Sequence, residues 1–481
     1  MARAVQSFDV FDTLITRRSV HPLAVLHQLE LQTGIAGLAQ ARLGADQQLW
    51  KRGAPFLLKD LWELVGQTLG WSLDLINRCI DLELQLEREQ CIPITCNVAL
   101  VSDGDLLVSD TYLPAEFVQS LLKSAGLEKV TSLICSNAGK SQGTVWPKIL
   151  SQVAVRGHFG DNEHSDGKMP TQAGIKSTIY IGARRTPIEQ QMCDLGWVSL
   201  ANLAREVRLS NPFSVPHTKE QYLWNLTCQL NFPLLVLASL CLDHHLRDEK
   251  ASSVLFVSRD CYLWHFLYQR LFAHTKSSYF YTSRRCLFHP SASYLQYFRS
   301  VWDPNSVIVD VSSTGTSWRK FFGSQQVQGK CFFLVHIDNY SYLTEGNHTP
   351  ECLKIQAQLR SRELGVPFTK GLEMLNYGIH PVVEDVVLID DKTAVPVLGE
   401  KFEYDPKLPQ AAHRCFRACL DRLTYYPDLL SGNTANVNGL IHLLVKTISM
   451  ERHWDELYVG HQEMDAAYMK RIQTGDPQTK E

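Results

Sequence analysis

The chain has no Cys-x-x-Cys pair, although 13 cysteines are spread along its 481 residues. Zinc ribbons and thioredoxin-type redox sites need that spacing, so neither is expected. The closest pairs are Cys91 with Cys96 and Cys415 with Cys419. The second pair stands at helical i,i+4 spacing and reads as packing, because free cysteine is commonly buried. An odd number of thiols without a frame predicts reduced cysteines and a cytoplasmic location. A charge excess is also missing: Lys plus Arg is 47 and Asp plus Glu is 50, a net of −3. Nucleic-acid binding needs a clustered basic face, and a nearly neutral chain without charge blocks offers none. No apolar run reaches the roughly 20 residues of a spanning helix. The longest, residues 230–242, is broken by Asn231, Pro233 and Ser239 and predicts a buried helix rather than a membrane span. The N-terminus lacks an apolar segment followed by a small-residue cleavage site, so secretion is not expected. Repeats and low-complexity tracts are likewise missing.

What is present is ordinary globular usage, 45% hydrophobic and 20% charged, over a length that predicts two to three domains. Residues 7–14 (SFDVFDTL) read as a buried strand ending in a polar loop. From about 21 to 89 the apolar spacing is helical, with stripes at Leu61, Leu64, Val65 and Leu69 and at Leu73, Ile76, Ile80 and Leu84. Beyond residue 98, strand-like runs at 106–108, 132–135 and 177–181 alternate with helical runs at 116–124 and 144–153. That alternation predicts a parallel sheet covered by helices. Residues 208–217 (RLSNPFSVPH) read as a linker. After it come strands near 254–257, 279–281, 307–310 and 331–335, with helices at 261–271 and from 318. Tyr262, Trp264, Phe266 and Tyr268 read as packing within the first of these helices. The last hundred residues are mixed and mostly helical.

Several polar groups fall at predicted strand ends, where open α/β sheets bind ligands. Asp9 and Asp12 follow the first strand, Ser109-Asp110 the next, and Lys140 sits in a loop before Gly143 and a helix. The run HFGDNEHSD then presents Asp161 and Asp166. Any one of these acids alone also fits a turn residue. Together they fit phosphoryl transfer to a carboxylate: Asp9 as nucleophile, giving an aspartyl-phosphate, and Asp161 and Asp166 as ligands of Mg²⁺. Ser109 would hydrogen-bond the transferring group and Lys140 would neutralise its charge. Arg17 fits either a substrate clamp or a solvated hinge with Arg18, and Asp110 is a substrate-contact candidate. His164 fits either a substrate contact or exposed loop.

FDVFDTL, LLVSD, GKSQG and HFGDNEHSD, in that order, resemble the four motifs of the haloacid dehalogenase (HAD) superfamily over residues 5 to 205. The run PITCNVALVSDGDLLVSDTYLP resembles a subgroup of predicted bacterial hydrolases associated with surface-polysaccharide gene clusters. The resemblance implies a doubly wound core over 1–20 and 92–207, with residues 21–91 as a helical cap that closes over the site. It implies Mg²⁺ held by Asp9, Asp161, Asp166 and the Phe11 carbonyl, and turnover of a sugar phosphate or nucleotide sugar. One departure stands out: the superfamily's phosphatases carry a second Asp, the general acid, where this chain has Phe11. Asp12 either replaces it or caps the loop.

The C-terminal half has a second constellation. Asp310-Val-Ser-Ser-Thr314-Gly315-Thr316 passes from an apolar strand into a helix, a ready anion site. Arg259 and Arg284 end two further strands. This order resembles, in part, the type I phosphoribosyltransferase fold over 223–345, after a linker at 208–222 and before a mixed region at 346–481. It implies a phosphorylated ligand bound by Arg259, Arg284, Asp310, Thr314, Gly315 and Thr316. The plainer reading is an N-cap turn with structural ion pairs. Three functions therefore stand open: a Mg²⁺-dependent hydrolase or phosphotransferase at Asp9, a glycosyl- or phosphoribosyl-type transferase in the C-terminal half, or a phospholigand-binding protein with little turnover.

Overall fold

The computed structural model describes residues 4–21, 23–213, 218–338, 352–365, 370–390, 393–400 and 407–451. The chain divides into two compact units, one of residues 1–187 and 208–214, the other of 188–207 and 215–481. Residues 188–207 therefore group with the second unit, although the sequence places them in the first domain. Part of the predicted linker, 214–217, lies outside the described residues.

The first unit is built on a fully parallel sheet of β1 (Val5–Phe8), β4 (Leu106–Asp110), β5 (Ser132–Ser136), β6 (Val155–Gly160) and β7 (Ser177–Ile179), in the order β5-β4-β1-β6-β7. The order reverses between β1 and β6, which makes their carboxyl ends the switch point where such sheets bind ligands. The first strand stops at Phe8 and does not run on to Leu14. Asp12 takes a left-handed φ of 57°, and Leu14 N donates to Val10 O at 2.8 Å, so the chain turns there. It then forms β2 (Ile15–Arg17), which pairs antiparallel with β3 (Cys91–Pro93).

Between these two short strands lie four helices: α1 (Leu23–Thr33), α2 (Leu38–Arg52), α3 (Leu58–Leu69) and α4 (Leu73–Gln90). Their apolar residues, among them Leu29, Leu49, Leu61, Trp62 and Ile76, join Phe8, Val10, Leu107, Phe117 and Leu121 in one hydrophobic core. The insert is thus packed into the unit. Two hydrogen bonds tie it to the loops after β4 and β5: Leu58 N donates to Tyr112 O at 2.9 Å and Phe56 N to the side-chain Oδ1 of Asn137 at 3.2 Å.

The buried faces of α3 and α4 differ from the predicted stripes. Leu69 is 44% and Leu73 70% exposed, while α4 buries Ile76, Cys79, Glu83, Leu86 and Glu87. A charge pair causes the rotation. Arg42 donates from Nε and Nη2 to the two oxygens of Glu83 at 3.1 and 2.8 Å, and Trp62 Nε1 donates to Glu83 at 2.7 Å. Removing one member of a buried pair strands the other. Glu83→Ala is expected to cost about 3–5 kcal/mol in urea unfolding, whereas Arg42→Met with Glu83→Leu should cost far less. Equal losses in the two variants would show that volume rather than charge dominates.

The second unit has its own parallel sheet: β8 (Ser253–Val257), β9 (Ser277–Phe280), β10 (Ser306–Ser313), β11 (Gly329–His336) and β12 (Leu353–Arg360), ordered β12-β11-β10-β8-β9. Its switch point lies between β8 and β10. The fifth strand falls in the region read as mixed and helical, so the α/β layer continues past residue 345. An antiparallel pair, β13 (Val383–Leu388) and β14 (Ala394–Leu398), was not predicted either. The predicted buried helix is longer than its apolar run: residues 219–248 are helical throughout, with a π-turn at Thr227–Asn231. By length and composition this helix is able to cross a membrane, yet most of it is buried inside the protein. All 13 cysteines lie among the described residues, and none is joined in a disulfide.

Candidate active site

At the β1/β6 switch point three carboxylates converge on an ammonium group. Asp9 follows β1 directly, its N donating to Phe159 O at 2.8 Å. Thr13 Oγ1, brought back by the turn, donates to Asp9 Oδ2 at 2.9 Å. Lys140 Nζ donates to Asp9 Oδ1 and lies 2.7 Å from Asp166 Oδ1. His158, on β6, bridges Ser7 Oγ at 2.8 Å and Asp166 Oδ1 at 3.0 Å, and Asn162 N donates to Asp166 Oδ2 at 2.9 Å. Gly160 makes room for this packing, since a Cβ there would lie 2.4 Å from Asp166 Cγ. One carboxylate oxygen each from Asp9, Asp161 and Asp166 lies within 4.8 Å of the others. A set of three hard oxygen donors fits a divalent cation such as Mg²⁺.

The electrostatics of the cluster are divided. Burial opposes the charge on Lys140, but Asp9 and Asp166 outweigh it and hold the ammonium well above its ordinary pKa. Asp166 sits low, at about 2: burial would raise it, but the His158 hydrogen bond and Lys140 prevail. Burial raises Asp9, with Lys140 opposing and Asp166 adding to the rise. Asp161 is pushed up to about 7, first by burial and then by Asp9, Asp12 and Asp166. The cluster therefore holds more negative charge than Lys140 alone offsets, the condition that a divalent cation relieves.

Ser109, at the end of β4, is 1% exposed, and its Oγ has no hydrogen-bond partner among the described residues. A buried hydroxyl without a partner costs free energy unless something else meets it.

Other predicted contacts have different duties. The Asp110 carboxylate accepts from Ser136 Oγ at 2.6 Å, Lys140 N at 3.0 Å and Ser141 N at 2.9 Å. It shapes the loop that presents Lys140, and is a positioning residue rather than a substrate contact. Arg17 donates from Nε and Nη2 to Glu87 at 2.8 and 2.9 Å, with its guanidinium 5.1 Å from the Phe11 ring. That pairing ties β2 to α4 and replaces the expected clamp. Arg18 donates to Glu89 O. His164 is exposed in the π-turn Glu163–Lys168 rather than in a loop, with Nε2 3.0 Å from Ser141 O. Asp12 Oδ1 accepts from Thr16 Oγ1 at 2.5 Å, and its charge reaches Asp161. Phe11 brings no side-chain ligand to the acidic trio.

In the second unit, Thr314 Oγ1 accepts from Thr316 N at 3.2 Å, and Gly315 takes a φ of 76° at the N-cap of helix Thr316–Ser324. This favours the capping turn over an anion cradle for Thr314 and Thr316. Arg259 lies over the Tyr377 ring at 4.7 Å, Arg284 is exposed, and Asp310 is buried. Asp260 and Glu373 join these groups electrostatically and were missed. Glu373 comes from the segment with no legible pattern, and Asp260 reads as an ordinary loop acid.

A scan against protein-family models and a search of curated proteins return no match to this chain.

Proposed function

We propose that the first unit is a divalent-cation-dependent hydrolase or phosphotransferase of HAD type, acting on a phosphorylated metabolite such as a sugar phosphate or nucleotide sugar in a reducing, cytoplasmic setting. The observation that carries this reading is the meeting of Asp9, Asp161, Asp166 and Lys140 at the switch point, beside a buried Ser109 hydroxyl with no partner among the described residues. In the same reading the four-helix insert is the cap.

Asp9, Asp161 and Asp166 would hold Mg²⁺, whose charge offsets that of the phosphoryl oxygens. Asp9 attacks phosphorus, the P–O bond to the leaving group breaks, and an aspartyl-phosphate forms, while the departing oxygen takes its proton from water, since Phe11 offers none. Water then attacks that phosphorus, returning the carboxylate and releasing orthophosphate. Thr13 and Lys140 each bond one oxygen of Asp9 and fix its direction. Lys140 neutralises developing charge, and Ser109 Oγ donates to a phosphoryl oxygen.

Phosphate release from a panel of phosphate esters, sugar nucleotides and acetyl phosphate, with Mg²⁺ and with EDTA, tests the reading. Release that EDTA abolishes is the expected result, and release indifferent to EDTA would overturn the assignment. A second prediction isolates Ser109. Ser109→Ala should leave thermal stability unchanged or slightly raised, since its hydroxyl has no hydrogen-bond partner among the described residues. It should raise KM roughly 10- to 100-fold, because hydrogen bonds to charged groups contribute about 1.5–3 kcal/mol. An unaltered KM would remove Ser109 from the phosphate contacts.

A further inference from the structure

We propose that His158 is a positioning residue for cation binding, which acts through Nε2 to hold Asp166 as a ligand with a single oxygen lone pair to offer. The inference rests on the reading of Asp9, Asp161 and Asp166 as the cation ligands. Its origin is strand register. β1 and β6 run parallel with Ser7 beside His158, so the two side chains share one face of the sheet. Ser7 Oγ lies 2.8 Å from His158 Nδ1 and 3.2 Å from Gly157 O. Trp146, in the helix Val145–Leu150 that follows the Lys140 loop, meets the imidazole edge-on, with ring centroids 4.8 Å apart. His158 is 1% and Trp146 0% exposed, so the ring is clamped inside the protein. Its Nε2 is left 3.0 Å from Asp166 Oδ1.

Counting donors shows what this contact does. A carboxylate offers about four lone-pair sites. Oδ1 of Asp166 meets Lys140 Nζ at 2.7 Å and His158 Nε2 at 3.0 Å, and Oδ2 accepts from Asn162 N at 2.9 Å. Three sites are thus taken among the described residues, and the one that remains belongs to Oδ2. Lys140 is shared with Asp9, whereas His158 bonds no carboxylate but Asp166. The carboxyl group has little room to turn, because it lies against Gly160, where a Cβ would come within 2.4 Å of Asp166 Cγ. An imidazole held in this way keeps Oδ1 engaged and Oδ2 aimed. Partners that orient a metal-binding group typically carry about 10- to 100-fold in metal affinity.

Amide substitutions separate the two ring nitrogens. In His158→Gln the amide nitrogen reaches the place of Nε2, and in His158→Asn it reaches only that of Nδ1. Isothermal titration calorimetry of the full chain with Mg²⁺ reads cation binding without turnover. Wild type should bind Mg²⁺ saturably, His158→Asn should weaken Kd about tenfold or more, and His158→Gln should stay close to wild type. Ser7→Ala removes the neighbour behind the ring and should weaken Kd by roughly two- to fivefold, which keeps the test open where His158→Asn does not fold. An unchanged Kd in a folded His158→Asn, or in Ser7→Ala where His158→Asn does not fold, would overturn the proposal and leave the cation site standing. Equal weakening in His158→Asn and His158→Gln would likewise remove the role of Nε2. Wild type without saturable Mg²⁺ binding would overturn both this proposal and the cation site.

Discussion

Asp9→Asn is expected to lower cation-dependent phosphate release by on the order of 10³-fold or more, while the far-ultraviolet circular dichroism stays that of the parent. An amide of the same shape keeps the Thr13 contact but offers phosphorus a far weaker nucleophile. Lys140 keeps Asp166 as a counter-ion, so the site should stay assembled. The discriminating measurement is single-turnover trapping of phosphate on the protein. Wild type should carry an acid-stable, base-labile phosphoryl group and the variant none. Turnover retained in Asp9→Asn would move the nucleophile elsewhere.

Asp161→Asn should act in opposite directions on stability and on cation binding. The Asp161 carboxyl is raised from 3.8 to about 7 in the folded chain. A group whose folded pKa is raised adds stability below its unfolded pKa, and that contribution is lost as pH climbs through the folded value. In wild type without cation, stability should therefore decline between about pH 4 and 7. The unscreened shift corresponds to about 4 kcal/mol, and solvent screening at this half-buried carboxyl reduces it to roughly 1–2 kcal/mol. Asp161→Asn removes the penalty, so in EDTA at pH 8 its melting temperature should exceed that of wild type by a few degrees. With Mg²⁺ the order should reverse, because ligand binding stabilises wild type and the variant lacks one donor. Scanning calorimetry at pH 5 and pH 8, with and without Mg²⁺, reads all four cases. A variant no more stable than wild type in EDTA at pH 8 would refute the electrostatic account.

The parts of the site visible in the sequence are those where one residue announces itself. Asp9, Ser109, Lys140, Asp161 and Asp166 each follow or close a strand, and an apolar run ending in a polar side chain is a local signal. Arg17 and Asp110 present the same signal but are engaged inside the protein, Arg17 by Glu87 70 residues away and Asp110 by groups 26 to 31 residues away. No local pattern predicts such pairing. His158 was passed over because it lies within β6, where it reads as a strand residue, yet it fixes Asp166 from behind. The rotation of α4 was hidden for a related reason: Glu83 interrupts the apolar count, and only Arg42 on another helix makes its burial affordable. The fold class was legible because parallel strands buried on both faces read as apolar runs. The edge strand β12 alternates exposed and covered residues and gave no such run.

The central place of β1 has a consequence for synthesis. β1 pairs with β4 on one side and β6 on the other, so its neighbours are made about 100 and 150 residues after it. Asp9 leaves the ribosome long before Lys140, the counter-ion it will meet across 131 residues. Until then an apolar strand with two open edges must stay unpaired or borrow other partners, and pairings this distant in sequence form slowly. Asp9, the proposed nucleophile, is thus among the earliest residues of the site to exist, and it acquires its chemical setting only when the sheet closes around it.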